Sequence, residues 1–176
     1  MKTSLFFLMI LLLLSACSSK KIVHKMPAQN IVTLESHTKT PKKEISSYNL
    51  RNKTPITLAL IDEYDKWYET PYVYGGDSFD GVDCSAFVQS VFMDAFRVRV
   101  PRTTHHQAQI GYEVTSNARE AGDIVLFKTG VSSRHSGIYI ERGNFMHTST
   151  TKGVTISNLN NPYWKNAYWQ TRRILP

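Results

Sequence analysis

The sequence predicts an α+β domain, in which helices come first and the strands of an antiparallel sheet follow. Apolar residues recur at helical spacing in two segments of the first half, residues 54–70 and 84–96. The second half carries short apolar runs separated by turn residues, a pattern that is typical of strands. We expect one domain over residues 51–176, because a chain of that length can bury a core without disulfide staples.

The first helix is predicted to begin at Thr54, which would cap it, with Pro55 at the first helical position. Thr70 and Pro71 should end it, since the residue before a proline avoids helical geometry. A loop with a short extended piece is expected over residues 71–81. The residues that recur at helical spacing, and should therefore face the core, are Leu60, Ile61, Tyr64, Trp67 and Tyr68.

A second, amphipathic helix is predicted after Gly81, with Cys84 in its first turn. A further short helix should run from Thr103 to Ile110 and stop at Gly111. The apolar face of the amphipathic helix consists of Phe87, Val88, Val91, Phe92, Ala95 and Phe96.

Five strands are expected in the second half, and two of them should form a hairpin that turns at Arg142 and Gly143. These five strands are Asp123–Phe127, His135–Ile140, Phe145–Thr148, Val154–Ser157 and Tyr168–Ile174.

The first 16 residues have the pattern of a signal peptide. Lys2 precedes an unbroken apolar run, Leu5–Leu14, which is too short to span a bilayer as a helix but suits a signal-peptide core. The segment Leu14–Cys17 resembles the bacterial lipobox, in which the signal is cleaved before the cysteine and the sulfur then carries a diacylglyceride. The alternative is an ordinary secretory signal with an incidental cysteine. Ser18, rather than Asp, resembles lipoproteins sorted to the outer membrane, so we expect a lipid anchor on Cys17 and a domain that faces the periplasm.

Residues 17–50 are predicted to be a lipidated cysteine and a flexible tether, because they lack hydrophobic periodicity. Residues 18–50 hold six lysines and two glutamates, whereas residues 51–176 hold fourteen Lys and Arg against twelve Asp and Glu. The basic excess therefore belongs to the tether, where it suits an anionic membrane surface. The nearly balanced domain argues against a nucleic-acid partner.

Cys84 is a candidate nucleophile. If Cys17 is lipidated, Cys84 is an unpaired thiol in a compartment that oxidises thiols. A helix N-terminus presents free N–H groups and a partial positive charge, which stabilise a thiolate. The alternative is that Cys84 is a small buried hydrophobic residue. Asp83 either caps the helix or binds a positive group of a substrate.

The base of such a thiol should be a histidine held in a rigid element. Two of the six histidines meet this condition, His135 and His147, because both lie on the predicted hairpin. The others lie in the tether or in a polar helix predicted to face solvent, and they are His24, His37, His105 and His106.

The spacing within the hairpin decides whether the two histidines can meet. A three-residue turn over residues 141–143 would pair Gly137 with His147 and place His135 diagonal to His147, within reach of its ring. A two-residue turn would put the histidines on opposite faces. In the first case His147 would accept a proton from His135 and orient its ring. The alternatives are a buried histidine with only a structural role, or a zinc site with Cys84 that needs a fourth ligand or water. The paired ligand spacings usual for zinc are absent.

Six short segments in order resemble the NlpC family of cell-wall cysteine peptidases, and above all its small bacterial lipoproteins. The likeness covers residues 55–175, the predicted domain. The segments are Pro71–Gly76, Gly81–Phe87, Val100–Thr104, Gly122–Phe127, Arg134–Ile140 and Phe145–Ser149.

The resemblance implies a reduced papain-like fold, with N-terminal helices packed on a small antiparallel sheet or barrel. It implies Cys84 as nucleophile, His135 as base and His147 as the third polar residue. Tyr72 is expected in the oxyanion or substrate site, with a core aromatic as the alternative, and Asp83 and Ser85 flank the nucleophile in the same site. Two residues depart from the family pattern, Ser136 where an apolar residue is common and Ala86 where glycine is common, and neither removes a reacting group.

The function that this resemblance implies is hydrolysis of stem-peptide or cross-link bonds in peptidoglycan, with no metal or organic cofactor. Two alternatives keep the fold: an amidase or acyltransferase that acts on another substrate, and a non-catalytic lipoprotein that only binds murein.

Overall fold

The computed structural model describes residues 53–176 of the 176-residue chain. The predicted signal peptide, the predicted lipidation site at Cys17 and the predicted tether lie outside the described residues. Within the described part, no helix is both long and apolar enough to cross a membrane.

Residues 53–176 contain four helices: α1 (Pro55–Trp67), α2 (Cys84–Phe96), α3 (Thr104–Gln107) and α4 (Pro162–Ala167). Helix α1 begins as predicted, with the Thr54 hydroxyl accepting the Thr57 amide at 3.1 Å. It ends before the predicted Thr70, because Tyr68 leaves helical geometry with ψ of 132° and Glu69 follows with a positive φ of 59°. Helix α3 is shorter than expected, and α4 was not predicted, since six residues are too few to show a period.

A six-stranded sheet forms the second half. Its strands are β3 (Tyr112–Glu113), β4 (Ile124–Lys128), β5 (Arg134–Glu141), β6 (Asn144–Ser149), β7 (Gly153–Asn158) and β8 (Tyr168–Arg173). They pair antiparallel in the order β3-β8-β4-β5-β6-β7. The five predicted strands are confirmed, each to within one residue at either end.

The region predicted as a loop before α2 contains a small second sheet. Two two-residue strands, β1 (Asp77–Ser78) and β2 (Gly81–Val82), pair antiparallel, and Tyr72 forms an isolated bridge with Val82. The bridge holds the Tyr72 segment beside the start of α2. The strands were missed because two residues cannot display alternation.

The β5–β6 hairpin turns at Arg142 and Gly143, as predicted, but the three-residue turn that was expected to bring the histidines together is absent. Glu141 pairs with Asn144, so the turn has two residues, Arg142 and Gly143, and not three. Both turn residues have positive φ, which is the conformation of a tight hairpin turn. A bulge between Tyr139 and Glu141 supplies the extra residue.

Because of that bulge, the strand register is the predicted one. Ile138 pairs with Met146, which places Gly137 opposite His147. A Cβ atom at Gly137 would lie 2.7 Å from the Met146 carbonyl oxygen and 3.1 Å from the His147 Cβ. The two strands are therefore in close contact where the histidines meet.

The sheet is covered on both faces. Helices α1 and α2 bury one face, where Leu60, Phe87 and Val91 pack against Ile138 and Met146. The other face carries an aromatic cluster around Phe127 and Phe145, against which Trp164 of α4 and Tyr168 pack. Strand β4 is consequently buried on both sides, which explains its continuous apolar sequence.

Candidate active site

One cleft of ≈1060 Å³ brings together the residues singled out in the sequence. Its wall includes Tyr72, Asp83, Cys84, Ser85, His135 and His147. A cleft of this size accommodates a peptide of several residues.

Cys84 is the first residue of α2 and is 7% exposed. The Asp83 carboxylate accepts the Ala86 amide at 2.8 Å, and the Phe87 amide donates to the Asp83 carbonyl. The two earlier amides, those of Cys84 and Ser85, have no intrahelical acceptor. The nucleophile candidate therefore lies at a helix end where two amide donors next to its sulfur have no acceptor within the helix.

A buried chain of hydroxyl groups leads away from the thiol. Cys84 Sγ lies 3.8 Å from Thr104 Oγ1, which lies 3.4 Å from Ser136 Oγ. Ser136 is fully buried. The departure from the family pattern at this position thus provides a polar partner for Thr104, in a place where an apolar side chain could not.

The Asp83 carboxylate caps helix α2, pairs with Arg102 and is surrounded by further hydrogen-bond donors. Arg102 binds its carboxylate through two bonds of 2.9 and 2.8 Å, Ser85 Oγ donates at 3.0 Å, and the Gly75 amide donates at 3.1 Å. Burial raises the pKa of Asp83, but the bonds from Arg102, Ala86 and Ser85 outweigh it, so the pKa lies below its usual value. Capping, one of the two predicted roles, is present in the structure. The carboxylate points at protein donors on both oxygens.

Arg102 was not among the predicted site residues. Its guanidinium also donates to Ser85 Oγ at 3.1 Å and to the Gly76 carbonyl at 3.4 Å. It thereby ties the loop before β1 to the first turn of α2. Arg102 lies 19 residues after Asp83 in the sequence, and the two side chains meet only in the folded protein.

The two hairpin histidines are directly hydrogen-bonded, His135 Nε2 to His147 Nδ1 at 3.0 Å. The chain continues from His147 Nε2 to Ser157 Oγ at 2.9 Å. His147 is 1% exposed. Ser157, which the sequence reasoning did not single out, is thus the third member of a continuous polar chain.

Aromatic rings enclose both histidines. Trp164 stacks on His135 with ring centres 5.3 Å apart, and Phe145 stacks on His147 at 5.0 Å. Burial lowers the pKa of His135 to about 4. It also lowers the pKa of His147 well below its usual value, and the neighbouring His135 adds to that effect. Both imidazoles are therefore neutral at neutral pH, and His135 can accept a proton.

Tyr72 lines the cleft and lies outside the hydrophobic core, so the core-aromatic alternative does not fit its position. Burial raises the pKa of its hydroxyl, and the neighbouring Cys84 and Asp83 raise it further. The phenol is thus a neutral donor close to the sulfur.

His105 and His106 are exposed, as predicted, although His105 reaches the rim of the cleft. Among residues 53–176, no group of three or more His, Cys, Asp and Glu side chains is arranged to hold a metal ion. The His135–His147 bond explains this in part, since each of the facing nitrogens is directed at the other ring.

Comparisons with known proteins agree with this geometry. A model of the NlpC/P60 family matches residues 69–173. The chain is 36% identical over 163 residues to the murein DD-endopeptidase MepS/murein LD-carboxypeptidase of Escherichia coli K12, which covers 93% of this chain and 87% of that protein. It is 48% identical over 122 residues to a probable endopeptidase of Haemophilus influenzae, covering 68% of this chain and 76% of the relative.

Solved structures agree on the fold. An NlpC/P60 family protein from Bacillus cereus superposes with a TM-score of 0.62 at 30% identity. The match covers 68% of this chain and 40% of the solved one. The predicted α+β, papain-like fold is thereby confirmed.

Proposed function

The chain belongs to the NlpC/P60 family, and we propose that it is a cysteine peptidase that hydrolyses peptide bonds of peptidoglycan, with Cys84 as nucleophile and His135 as base. The observation that carries this proposal is the meeting of three groups in one cleft: a thiol at a helix N-terminus, a neutral half-buried imidazole, and a second, buried imidazole bonded to the first.

The protonation pattern follows from the hydrogen bonds. His135 Nε2 faces His147, so Nδ1 is the nitrogen left to serve the thiol. Nδ1 takes the proton of Cys84, and the sulfur then attacks the scissile carbonyl carbon. His147 accepts the Nε2–H bond and keeps the His135 ring in its plane.

The oxyanion that forms in this step needs donors that are in place beforehand. The free amides of Cys84 and Ser85 point from the start of α2, and the Tyr72 hydroxyl lies on the same wall. We assign these three groups to the oxyanion and substrate site. His135 then delivers its proton to the leaving amine, which leaves a thioester on Cys84.

Deacylation reverses the roles. His135 Nδ1 removes a proton from a water molecule, the resulting hydroxide attacks the thioester carbonyl, and the Cys84 thiolate leaves and is reprotonated by His135. No metal or organic cofactor takes part in this scheme.

The test is mass spectrometry of purified cross-linked peptidoglycan fragments incubated with the protein, beside Cys84→Ser and Cys84→Ala variants. We expect new fragments only with the unmodified protein, and their masses identify the bond, whether a cross-link or a bond within one stem. Fragments that also form with Cys84→Ala would contradict a thiol mechanism. Sensitivity to a chelator in that case would indicate a metal hydrolase.

Two alternatives predict other outcomes. A murein-binding lipoprotein would sediment with peptidoglycan equally well with and without Cys84 and would release nothing. An amidase or acyltransferase on the same fold would leave stem peptides intact, yet its thiol would react with an acylating probe in a His135-dependent way.

The envelope location is a further part of this proposal. We infer that the signal is cleaved before Cys17, that Cys17 carries a lipid, and that residues 18–50 let the domain reach peptidoglycan from an outer membrane. The apolar run Leu5–Leu14 and the lipobox-like Leu14–Cys17 support it. A tether of this length has a root-mean-square reach of roughly 30 Å.

Membrane fractionation with Cys17→Ala tests the anchor. The unmodified chain should float with outer-membrane markers and show a diacylglyceride mass on its first residue, whereas Cys17→Ala should be released or retain its signal. A mature chain that begins at an unmodified Cys17 would contradict lipidation, and flotation with inner-membrane markers would contradict the outer-membrane assignment.

A further inference from the structure

Ser157 ends the hydrogen-bonded chain that starts at His135, and it has no assigned part in the reaction. We propose that Ser157 is a positioning residue that holds His147 in the tautomer the reaction requires, by accepting a hydrogen bond from His147 Nε2. This inference rests on the proposed function, since it is the reaction that selects one tautomer.

Only one placement of hydrogens along the His135–His147–Ser157 hydrogen bonds is compatible with the proposed reaction. To act as base at Nδ1, a neutral His135 must carry its hydrogen on Nε2 and donate it to His147 Nδ1. His147 Nδ1 must then be bare, so the hydrogen of His147 lies on Nε2. That hydrogen points at Ser157 Oγ, 2.9 Å away.

The requirement becomes stricter once the proton has moved. With a proton on both nitrogens, His135 can only donate, so His147 Nδ1 can only accept and His147 Nε2 must keep its hydrogen. A positive charge on His135 strengthens the whole chain of donors, because hydrogen bonds that involve an ionised group are the stronger ones. Ser157 thus acts at the step in which His135 is charged.

The burial of His147 makes the Ser157 hydroxyl difficult to replace. His147 is 1% exposed, and among the described residues its Nε2 atom forms its hydrogen bond with Ser157 Oγ. Without that oxygen the Nε2–H would be a buried donor with no acceptor, a state that costs free energy. The opposite tautomer would avoid that cost by placing the hydrogen on Nδ1, where it would oppose the His135 Nε2–H.

The strand register explains why Ser157 occupies this place. His147 of β6 pairs with Thr155 of β7, so Ser157 is two residues further along and on the same face. Thr155 is buried directly opposite His147, yet none of the described hydrogen bonds involves its hydroxyl. Thr155 is therefore a matched control for loss of a hydroxyl next to His147.

Steady-state kinetics on the peptidoglycan fragments compare Ser157→Ala, Ser157→Thr and Thr155→Val. We expect Ser157→Ala to lower kcat on the order of tenfold with KM within about twofold, as for removal of one positioning bond. Ser157→Thr keeps the oxygen and should recover most of kcat, and Thr155→Val should stay within about twofold. Full kcat in Ser157→Ala, or equal losses in Ser157→Ala and Thr155→Val, would overturn the proposal.

The tautomer itself is read without turnover, by ¹⁵N NMR of the histidine rings in the resting protein. The unmodified protein should show His147 protonated on Nε2 and bare on Nδ1, and Ser157→Ala should show a mixture or the reverse. A hydrogen on Nδ1 of His147 in the unmodified protein would overturn the proposal, even if Ser157→Ala fails to fold. If no cleavage is found at all, the proposed function fails, while this spectrum still decides the tautomer.

Discussion

On the side of the cleft that carries Cys84, the polar groups are charged and paired, whereas on the side that carries His135 they are neutral and packed against aromatic rings. Asp83 and Arg102 form a two-bond ion pair at the start of α2. His135 and His147 form a neutral pair under Trp164.

This difference between the two sides of the cleft matches the protonation state that Cys84 and His135 each need for the reaction. Cys84 must turn into an anion, which is favoured where helix amides and a compensated carboxylate surround it. Asp83 alone would oppose a negative sulfur, and the paired Arg102 offsets that charge. His135 must be neutral before it can accept a proton, and burial among rings keeps it so. The two sides therefore differ in the kind of change that should disrupt them.

The largest expected effect is that of His135→Ala. Loss of the base should lower kcat by roughly three orders of magnitude or more on peptidoglycan fragments, because removing one member of a catalytic unit removes most of its action. His105→Ala is the matched control, since His105 lies on the rim of the same cleft and makes no bond to the reacting groups. Comparable losses in both variants would contradict the assignment of His135 as base.

The two sides should also lose stability in different pH windows. The folded pKa of His135 is about 4, below its usual 6.5, so its contribution to stability is fully present above pH 6.5 and is lost as the pH falls to about 4. Over that window the free energy of unfolding should fall by up to roughly 3 kcal/mol. Asp83 also has a lowered pKa, so its contribution is present above pH 3.8 and is lost only below it.

Urea unfolding at closely spaced pH values measures both windows. His135→Gln should make the curve between pH 6.5 and 4 less steep, and the remaining slope there belongs to His147, whose pKa is lowered as well. Asp83→Asn should make the curve less steep below pH 4. A curve between pH 6.5 and 4 that is the same with and without His135 would show that the ring is not buried as a neutral group.

Sequence reasoning went furthest where a pattern is local. The strand positions and the helix that begins at Cys84 follow from periodicity and capping, and the meeting of His135 with His147 follows from strand register. The hairpin turns at Arg142 and Gly143 as predicted; a two-residue turn was expected to separate the histidines, yet the bulge near Ile140 restored the count of residues that a three-residue turn would give. The strand register depends on that count of residues. A prediction can therefore miss the details of the turn and still place the two histidines correctly.

The partners that come from distant parts of the chain were not predictable in this way. Arg102 reaches Asp83 across 19 residues, and Trp164 covers His135 from a six-residue helix. Ser157 lay in a correctly predicted strand, but nothing in its own neighbourhood indicates which side chain it meets. Each of these residues is selected by packing between elements, which a single sequence does not display.

The Arg102–Asp83 ion pair should affect kcat, because Arg102 compensates the negative charge of Asp83 next to the nucleophile. Arg102→Gln leaves the Asp83 carboxylate partly buried without its cation, so we expect a loss of roughly 1–3 kcal/mol in the free energy of unfolding and a lower kcat. Asp83→Asn in the same background removes the uncompensated charge and should restore part of the kcat. A double variant whose kcat equals the product of the two single losses would show that the charges act independently.

The smallest expected effect concerns the ring that shields the base. Trp164→Ala opens the His135 ring to water, so the pKa of His135 should rise from about 4 toward 6.5. A rise of about one unit corresponds to roughly 1.4 kcal/mol. An NMR titration of the histidine rings measures this directly. Tyr163→Ala is the control, because Tyr163 touches Trp164 but is 57% exposed. If Trp164→Ala leaves the His135 titration where it was, the low pKa comes from the strands and not from the aromatic cover, and the contrast between the two sides of the cleft must be explained by the sheet alone.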